Sequence, residues 1–101
     1  MHALLIEHRA LPGQRDAVEQ AWKAHMQPAI AANPGHLAYA YSFGRDEDVI
    51  VAFQVYASPE AAQAFLQQPN YAAYLEASEH LLTGEPKVTL LDTRWMKPSL
   101  G

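Results

Sequence analysis

DVIVAFQVYA, which spans residues 48–57, is followed by SPEAAQAFL (58–66) and PNYAAYLEASEHLL (69–82), and these three blocks decide the fold. The first block predicts a β-strand, because it is rich in β-branched and aromatic residues and is bounded by turn-forming residues. Its apolar side chains occupy both odd and even positions, whereas a strand with one solvated face alternates strictly. We therefore expect this strand to be buried on both faces.

The two later blocks predict a pair of short helices. Ser58 is a good N-cap and Pro59 suits the first helical position, so the first of these helices covers about 60–67. The second begins at Pro69 and ends before the Thr83-Gly84 turn. Three aromatic side chains of these helices are expected to line a pocket for a small molecule: Phe65, Tyr71 and Tyr74.

The rest of the chain predicts three further strands, at 2–9, 36–44 and 87–96, and one long helix at 14–32. Pro28 predicts a break in that helix near Gln27, because proline lacks the amide hydrogen and clashes with the preceding turn. The element order β-α-β-β-α(α)-β predicts an α+β fold of the ferredoxin-like type, an antiparallel sheet with its helices on one face. The tail, 97–101, is expected to be frayed.

An apolar sheet face that no helix covers predicts a partner. Monomers rarely expose a large contiguous apolar patch, so we expect a homodimer joined through the sheets. The length of 101 residues predicts one domain covering 1–101.

Composition and charge exclude several classes of function. The net charge of -4 contains no basic stripe of the kind that nucleic acid requires. The absence of cysteine removes disulfides, thiolate metal sites and cysteine nucleophiles. The first residues become charged too soon for a signal peptide, and no apolar run approaches the ~20 residues of a membrane span. We expect a cytoplasmic protein that binds neither nucleic acid nor membranes.

Four short motifs occur in an order and spacing that match a known family. They are PG (12–13), PGH (34–36), FQVYASPEA (53–61) and QPNY (68–71). Through them nearly the whole chain resembles the antibiotic biosynthesis monooxygenase domain family, and it is most similar to the small quinol monooxygenases. The resemblance implies a dimeric α+β barrel.

The resemblance also implies an activity, the oxygenation of a small aromatic or quinol-type substrate by molecular oxygen without metal, flavin or haem. The substrate anion reduces oxygen, so the protein must exclude water, orient the ring and help to remove a phenolic proton. The sequence departs from many relatives at Tyr56, where they carry Trp, and at Phe65, where they carry His. A related haem-degrading branch uses Asn, Trp and His at the positions of His8, Phe65 and Tyr74, so its triad is absent.

Two histidines are candidate proton acceptors. His8 lies near the end of the first strand, where the family places a pocket Asn, and an imidazole there could accept a proton from the substrate. The alternative for His8 is a solvated strand-end histidine. His25 lies on the apolar face of the first helix, where it either contacts a ligand or bonds to backbone at the edge of the core. The expected ligand contacts are the hydroxyls of Tyr71 and Tyr74 and the apolar walls of Trp22 and Phe65.

Two other classes of function stay open, because one fold hosts many chemistries. The first is a non-catalytic binding module for a hydrophobic metabolite. The second is a non-oxidative isomerase or cyclase. Tight binding without turnover would favour the binding module, and turnover without oxygen would favour the isomerase or cyclase.

Overall fold

The computed structural model describes residues 1–97, whose strands form one antiparallel sheet. The strands are β1 (His2–Arg9), β2 (His36–Phe43), β3 (Val49–Tyr56) and β4 (Lys87–Asp92), in the spatial order β2-β3-β1-β4. The central strands β1 and β3 pair along their whole length, from His2 opposite Tyr56 to Arg9 opposite Val49. The predicted ferredoxin-like α+β arrangement is confirmed.

Four helices cover one face of this sheet. They are α1 (Arg15–His25), α2 (Gln27–Ala32), α3 (Pro59–Leu66) and α4 (Pro69–Ser78), and a 3₁₀ turn, Glu79–Leu81, follows α4. The predicted break in the long helix is confirmed, with Pro28 in the first turn of α2. The predicted N-cap is also confirmed, because the Ser58 Oγ accepts a hydrogen bond from the Ala61 amide at 3.1 Å. Within residues 1–97 no helix is long and apolar enough to cross a membrane.

The last strand is shorter than the sequence predicts. It ends at Asp92 rather than at 96, because among residues 1–97 it pairs with β1 alone and that pairing stops where His2 lies opposite Asp92. One further backbone hydrogen bond joins the Thr93 amide to the Met1 carbonyl at 3.4 Å. Residues 98–101 of the predicted frayed tail lie outside the described residues.

The two faces of the sheet carry different side chains. Those of β3 that face the helices are buried, namely Ile50, Ala52, Gln54 and Tyr56. On the opposite face, Phe53 is 37% exposed and Leu91 is 39% exposed. We name this surface the outer face; its partly exposed apolar residues include Leu5, Val51, Phe53 and Leu91, whereas Ala3 and Val55 on the same face are buried.

The β2–β3 hairpin is tied to the start of α1 by one arginine. The Arg15 guanidinium lies 4.1 Å from the centre of the Phe43 ring. Its Nη1 atom also donates to three hairpin carbonyls at 3.0–3.2 Å, those of Gly44, Asp46 and Val49. These contacts fix α1 at one end of the sheet.

Candidate functional site

All five tyrosines of the chain meet between the helices and the sheet. Strand β2 supplies Tyr39 and Tyr41, which share a face because they are two residues apart. Helix α4 supplies two more, three residues apart on its inner side. We name the whole set the tyrosine cluster, and its members are Trp22, Tyr39, Tyr41, Tyr56, Phe65, Tyr71 and Tyr74. The cluster offers flat apolar surfaces with hydroxyl groups at their edges, which suits an oxygenated aromatic ligand.

Trp22 stands at the centre of the cluster. Its ring stacks on that of Tyr41, with centroids 4.2 Å apart and an interplanar angle of 26°. The Tyr39 ring lies 5.8 Å from it, and the Trp22 Nε1 donates to the Tyr39 hydroxyl at 3.3 Å. The indole is 9% exposed. It therefore holds two phenol rings of β2 in place.

The hydroxyl of Tyr41 is buried and has no hydrogen-bond partner within residues 1–97. A buried polar group without a partner costs about 1–3 kcal/mol, and such groups in native proteins call for an explanation. The Tyr41 ring is stacked on Trp22, so the ring cannot swing away without losing that contact. A ligand oxygen that accepts a hydrogen bond would remove this cost.

Burial keeps the phenols of the cluster protonated. Desolvation raises the pKa of Tyr39 to about 12, partly offset by its hydrogen bond with Trp22. Desolvation also raises the pKa values of Tyr41, Tyr56 and Tyr74, and neighbouring phenols add to each shift. Near neutral pH the cluster therefore presents O–H donors rather than phenolates.

These shifts predict how the protein responds to alkali. A folded-state pKa above the unfolded value of 10.0 gives stability that is complete below pH 10 and is lost as pH rises through the folded pKa, about 12 for Tyr39. We expect tyrosinate absorbance of the native protein to lag behind that of the denaturant-unfolded chain across this interval. Titration of all five tyrosines at the unfolded pKa, with the fold intact by circular dichroism, would contradict the burial described above.

A second group of side chains, which we name the polar network, adjoins the cluster: Asn33, His36, Gln54 and Tyr56. The Asn33 Nδ2 lies 2.8 Å from His36 Nδ1, and His36 Nε2 lies 3.1 Å from Gln54 Oε1. The Tyr56 hydroxyl donates to the same Gln54 oxygen at 2.7 Å. Burial lowers the pKa of His36, and its hydrogen bond with Gln54 opposes that shift. His36 is therefore neutral near pH 7 and acts as a hydrogen-bonding element.

Side-chain alternation along β2 does not predict that His36 lies in the site. Strict alternation along β2 puts Leu37 on the face of Tyr39 and His36 on the opposite face. A bulge changes this, because His36 pairs with Tyr56 whereas Ala38 pairs with Val55. The extra residue shifts the register by one, so His36 joins the helix-covered face. The Pro34-Gly35 turn before the strand is the only local signal of such an irregularity.

An open groove of about 360 Å³ borders the polar network. Its lining contains no charged residue and consists of Pro28, Ala29, Ala32, Asn33, Pro34, Gln68 and Asn70. Asn33 belongs both to the groove and to the polar network, so the groove approaches the cluster from the α2 side. A second cavity, of about 330 Å³, lies beside Asp16 and Asp48 and is not lined by any residue of the cluster.

Comparison with known proteins agrees with this geometry. A model of the family described as antibiotic biosynthesis monooxygenase matches residues 1–77. The chain belongs to this family. No curated protein matches the sequence significantly.

Solved structures of similar proteins share the fold. One from Nitrosomonas europaea, provisionally named an antibiotic biosynthesis monooxygenase, has a TM-score of 0.85 at 14% identity over 94% of this chain and 100% of its own. One from Chloroflexus aurantiacus, with the same provisional name, has a TM-score of 0.75 at 26% identity over 94% and 96%. Rv0793 from Mycobacterium tuberculosis has a TM-score of 0.82 at 25% identity over 95% and 97%.

In this monooxygenase-family chain the residues predicted as ligand contacts lie together, and the two predicted proton acceptors lie apart from each other. Trp22, Phe65, Tyr71 and Tyr74 all belong to the tyrosine cluster. His8 lies opposite Ile50, near the end of β1, and its Nε2 is 3.0 Å from the Gly84 carbonyl. His25 is the last residue of α1 and is half-buried. The roles of these six residues stay predictions.

Proposed function

We propose that this protein oxidises a small aromatic or quinol-type substrate with molecular oxygen, without a cofactor. The observation that carries the proposal is the buried Tyr41 hydroxyl, which is stacked on Trp22 and has no partner in the described part of the chain. A hydroxyaromatic supplies the acceptor oxygen that this hydroxyl lacks, and its flat ring suits the aromatic side chains around it. Family membership supports oxygenation as the reaction type.

The chemistry needs little from the protein beyond binding and proton transfer. The anion of a hydroxyaromatic is itself an electron donor, so the substrate can reduce oxygen. When a phenol becomes a quinone, its O–H and C–H hydrogens leave with one oxygen atom as water, and the ring keeps the other oxygen atom. The protein's tasks are to hold the ring oxygen, accept its proton and keep bulk water out.

His8 and His25 are the proposed proton acceptors. A carbonyl oxygen only accepts hydrogen bonds, so the bond to Gly84 places the proton of neutral His8 on Nε2 and leaves Nδ1 free as a base. The His25 imidazole forms no hydrogen bond to any group among residues 1–97, although the His25 carbonyl accepts one from Asn70 Nδ2 at 3.1 Å. Each ring therefore has a nitrogen available to a substrate.

Oxygen uptake with a panel of hydroquinones and anthrones tests the proposal. We expect the Tyr41→Phe variant to consume oxygen at least about 10-fold more slowly than wild type, because a substrate hydrogen bond is lost. The same variant should unfold with no loss of stability, or with a gain of about 1 kcal/mol, because an unpaired buried hydroxyl has been removed. Equal activity combined with reduced stability would show instead that the hydroxyl has a structural partner.

Histidine variants complete the experiment. The double variant His8→Ala with His25→Ala should lose uptake, whereas His80→Ala should not, since His80 is exposed on the turn after α4. Tight binding of the panel without uptake would favour the non-catalytic binding module. Turnover in the absence of oxygen would favour an isomerase or cyclase.

We also propose that residues 1–101 act as one domain within a homodimer joined through the outer face. Phe53 and Leu91 are more than one third exposed there, and Leu5 and Val51 are half-buried beside them. Leu5, Val51 and Phe53 lie on the two central strands and Leu91 lies on the neighbouring edge strand β4, so the four side chains share one side of the sheet. Covering four apolar side chains per subunit would supply a hydrophobic driving force for association.

A further inference from the structure

We propose that the side-chain amide nitrogen of Gln54 binds an oxygen atom of the aromatic ligand, so that the site selects carbonyl or phenolate oxygens. The inference rests on the proposed function, which places an aromatic molecule in the tyrosine cluster. It adds the group that recognises the ligand and the chemical class that group accepts. The polar network fixes the direction in which the Gln54 amide points.

The orientation of the Asn33 side chain follows from its contact with Gly35. The Gly35 backbone N–H can only donate, so the Asn33 atom 3.2 Å from it is the acceptor, Oδ1. The Nδ2 atom of Asn33 therefore faces His36 Nδ1, 2.8 Å away. An amide nitrogen can only donate, so this ring nitrogen carries no proton. The neutral imidazole of His36 then carries its proton on Nε2.

The orientation of the Gln54 amide follows from the proton on His36 Nε2. The protonated Nε2 of His36 needs an acceptor, so the Gln54 atom 3.1 Å away is Oε1 rather than the amide nitrogen. The Tyr56 hydroxyl, which can donate or accept, donates to the same oxygen at 2.7 Å and so is compatible with this orientation. The Gln54 Nε2 therefore points away from His36. It has no hydrogen-bond partner among the described residues, and it keeps some solvent-accessible area, because the Tyr41 hydroxyl is the one unpaired side-chain atom there that is fully buried; the Gln54 side chain as a whole is 5% exposed.

The free amide of Gln54 lies on the helix-covered face of the sheet. Gln54 lies between Leu4 on β1 and Tyr39 on β2, and all three face the helices. The amide is thus part of the sheet surface on which the tyrosine cluster stands, beside the ring that Trp22 holds. It joins the unpaired Tyr41 hydroxyl on the same face, so the site offers two kinds of free donor. Donors of this kind bind oxygen acceptors and gain no hydrogen bond from plain hydrocarbons.

Binding of menadione and of methylnaphthalene measures this selectivity, because the two molecules share a ring system and differ in carbonyl oxygens. We expect wild-type protein to bind menadione about 10-fold more tightly, since the unpaired amide of Gln54 gains an acceptor. Gln54→Met keeps the side-chain shape and should lose most of this preference while binding methylnaphthalene as before. Gln63→Met, at an exposed position of α3, should keep the wild-type preference.

Nitrogen NMR of the wild-type protein keeps the test independent of how the variant folds. We expect His36 to carry its proton on Nε2 and the Gln54 side-chain amide resonances to shift with menadione but not with methylnaphthalene. His36→Phe should weaken the preference for menadione and leave methylnaphthalene affinity unchanged, which a merely structural role would not do. Unmoved Gln54 resonances, or a preference that survives in Gln54→Met, would overturn the inference.

The outcomes separate this inference from the function on which it rests. Discrimination between the two probes without any oxygen uptake would sustain the role of Gln54 and overturn the oxidation. Oxygen uptake with no response of the Gln54 amide would overturn the role of Gln54 and sustain the oxidation. Failure of both probes to bind would overturn the inference together with the proposed site.

Discussion

We expect the Phe53→Asp variant to sediment as a monomer at concentrations at which the wild-type protein sediments as a dimer. Phe53 lies on the central strand β3 and is 37% exposed on the outer face. A two-fold interface buries the same residue from both subunits, so two unpaired carboxylates would be buried at once. At about 3 kcal/mol or more for each, the dimer should weaken by roughly four orders of magnitude.

The same sheet provides a matched control. Leu90 is 67% exposed, but it lies opposite Leu4 and so belongs to the helix-covered face rather than the outer face. Leu90→Asp introduces the same charge on the wrong side for the proposed interface and should leave the dimer intact. A wild-type protein that is monomeric even at high concentration would rule out association through the outer face. Equal dissociation of both variants would rule it out as well.

We expect Trp22→Ala to destabilise the protein by about 3–5 kcal/mol, the range typical of truncating a buried aromatic side chain. The indole is 9% exposed, stacks on Tyr41 and donates a hydrogen bond to Tyr39. Its removal leaves a cavity and releases both phenol rings. For a small domain this is a large share of the whole stability. Equilibrium unfolding in urea measures this loss of stability. The comparison requires that the slope of the unfolding free energy against urea concentration is unchanged.

Truncation of an exposed apolar residue calibrates that loss. Leu66 is 42% exposed at the end of α3, so Leu66→Ala should change stability by no more than about 0.5 kcal/mol. Ligand binding should disappear in Trp22→Ala, provided that the urea baseline shows the variant to be folded. A loss comparable to that of Leu66→Ala would mean that Trp22 does not organise the cluster.

The fold was predictable because its signals are local. Pro28 marks the break between α1 and α2, and Ser58 with Pro59 marks the start of α3. The apolar run of β3 indicated a central strand, which its pairing with both β1 and β2 confirms. The end of β4 could not be predicted in the same way, because it depends on where the partner strand β1 begins.

The candidate site was predictable only in part. Helical spacing brought Tyr71 and Tyr74 to one inner face, and the structure places them in the cluster with Trp22. The role of His36 could not be read from alternation, because a bulge reverses the face on which it lies. The free amide of Gln54 depends on hydrogen bonds between residues far apart in sequence, and no spacing rule anticipates those.

Reaction under heavy-isotope oxygen gas tests the central claim most directly, that this site oxidises a hydroxyaromatic with molecular oxygen. Wild-type protein would react with a member of the hydroquinone and anthrone panel that it consumes in the uptake assay. The product would then be analysed by mass spectrometry. We predict one labelled oxygen atom in each product molecule formed from a substrate that gains oxygen, with Tyr41→Phe forming it much more slowly. Product that carries only unlabelled oxygen, or no product from any member of the panel, would contradict the account.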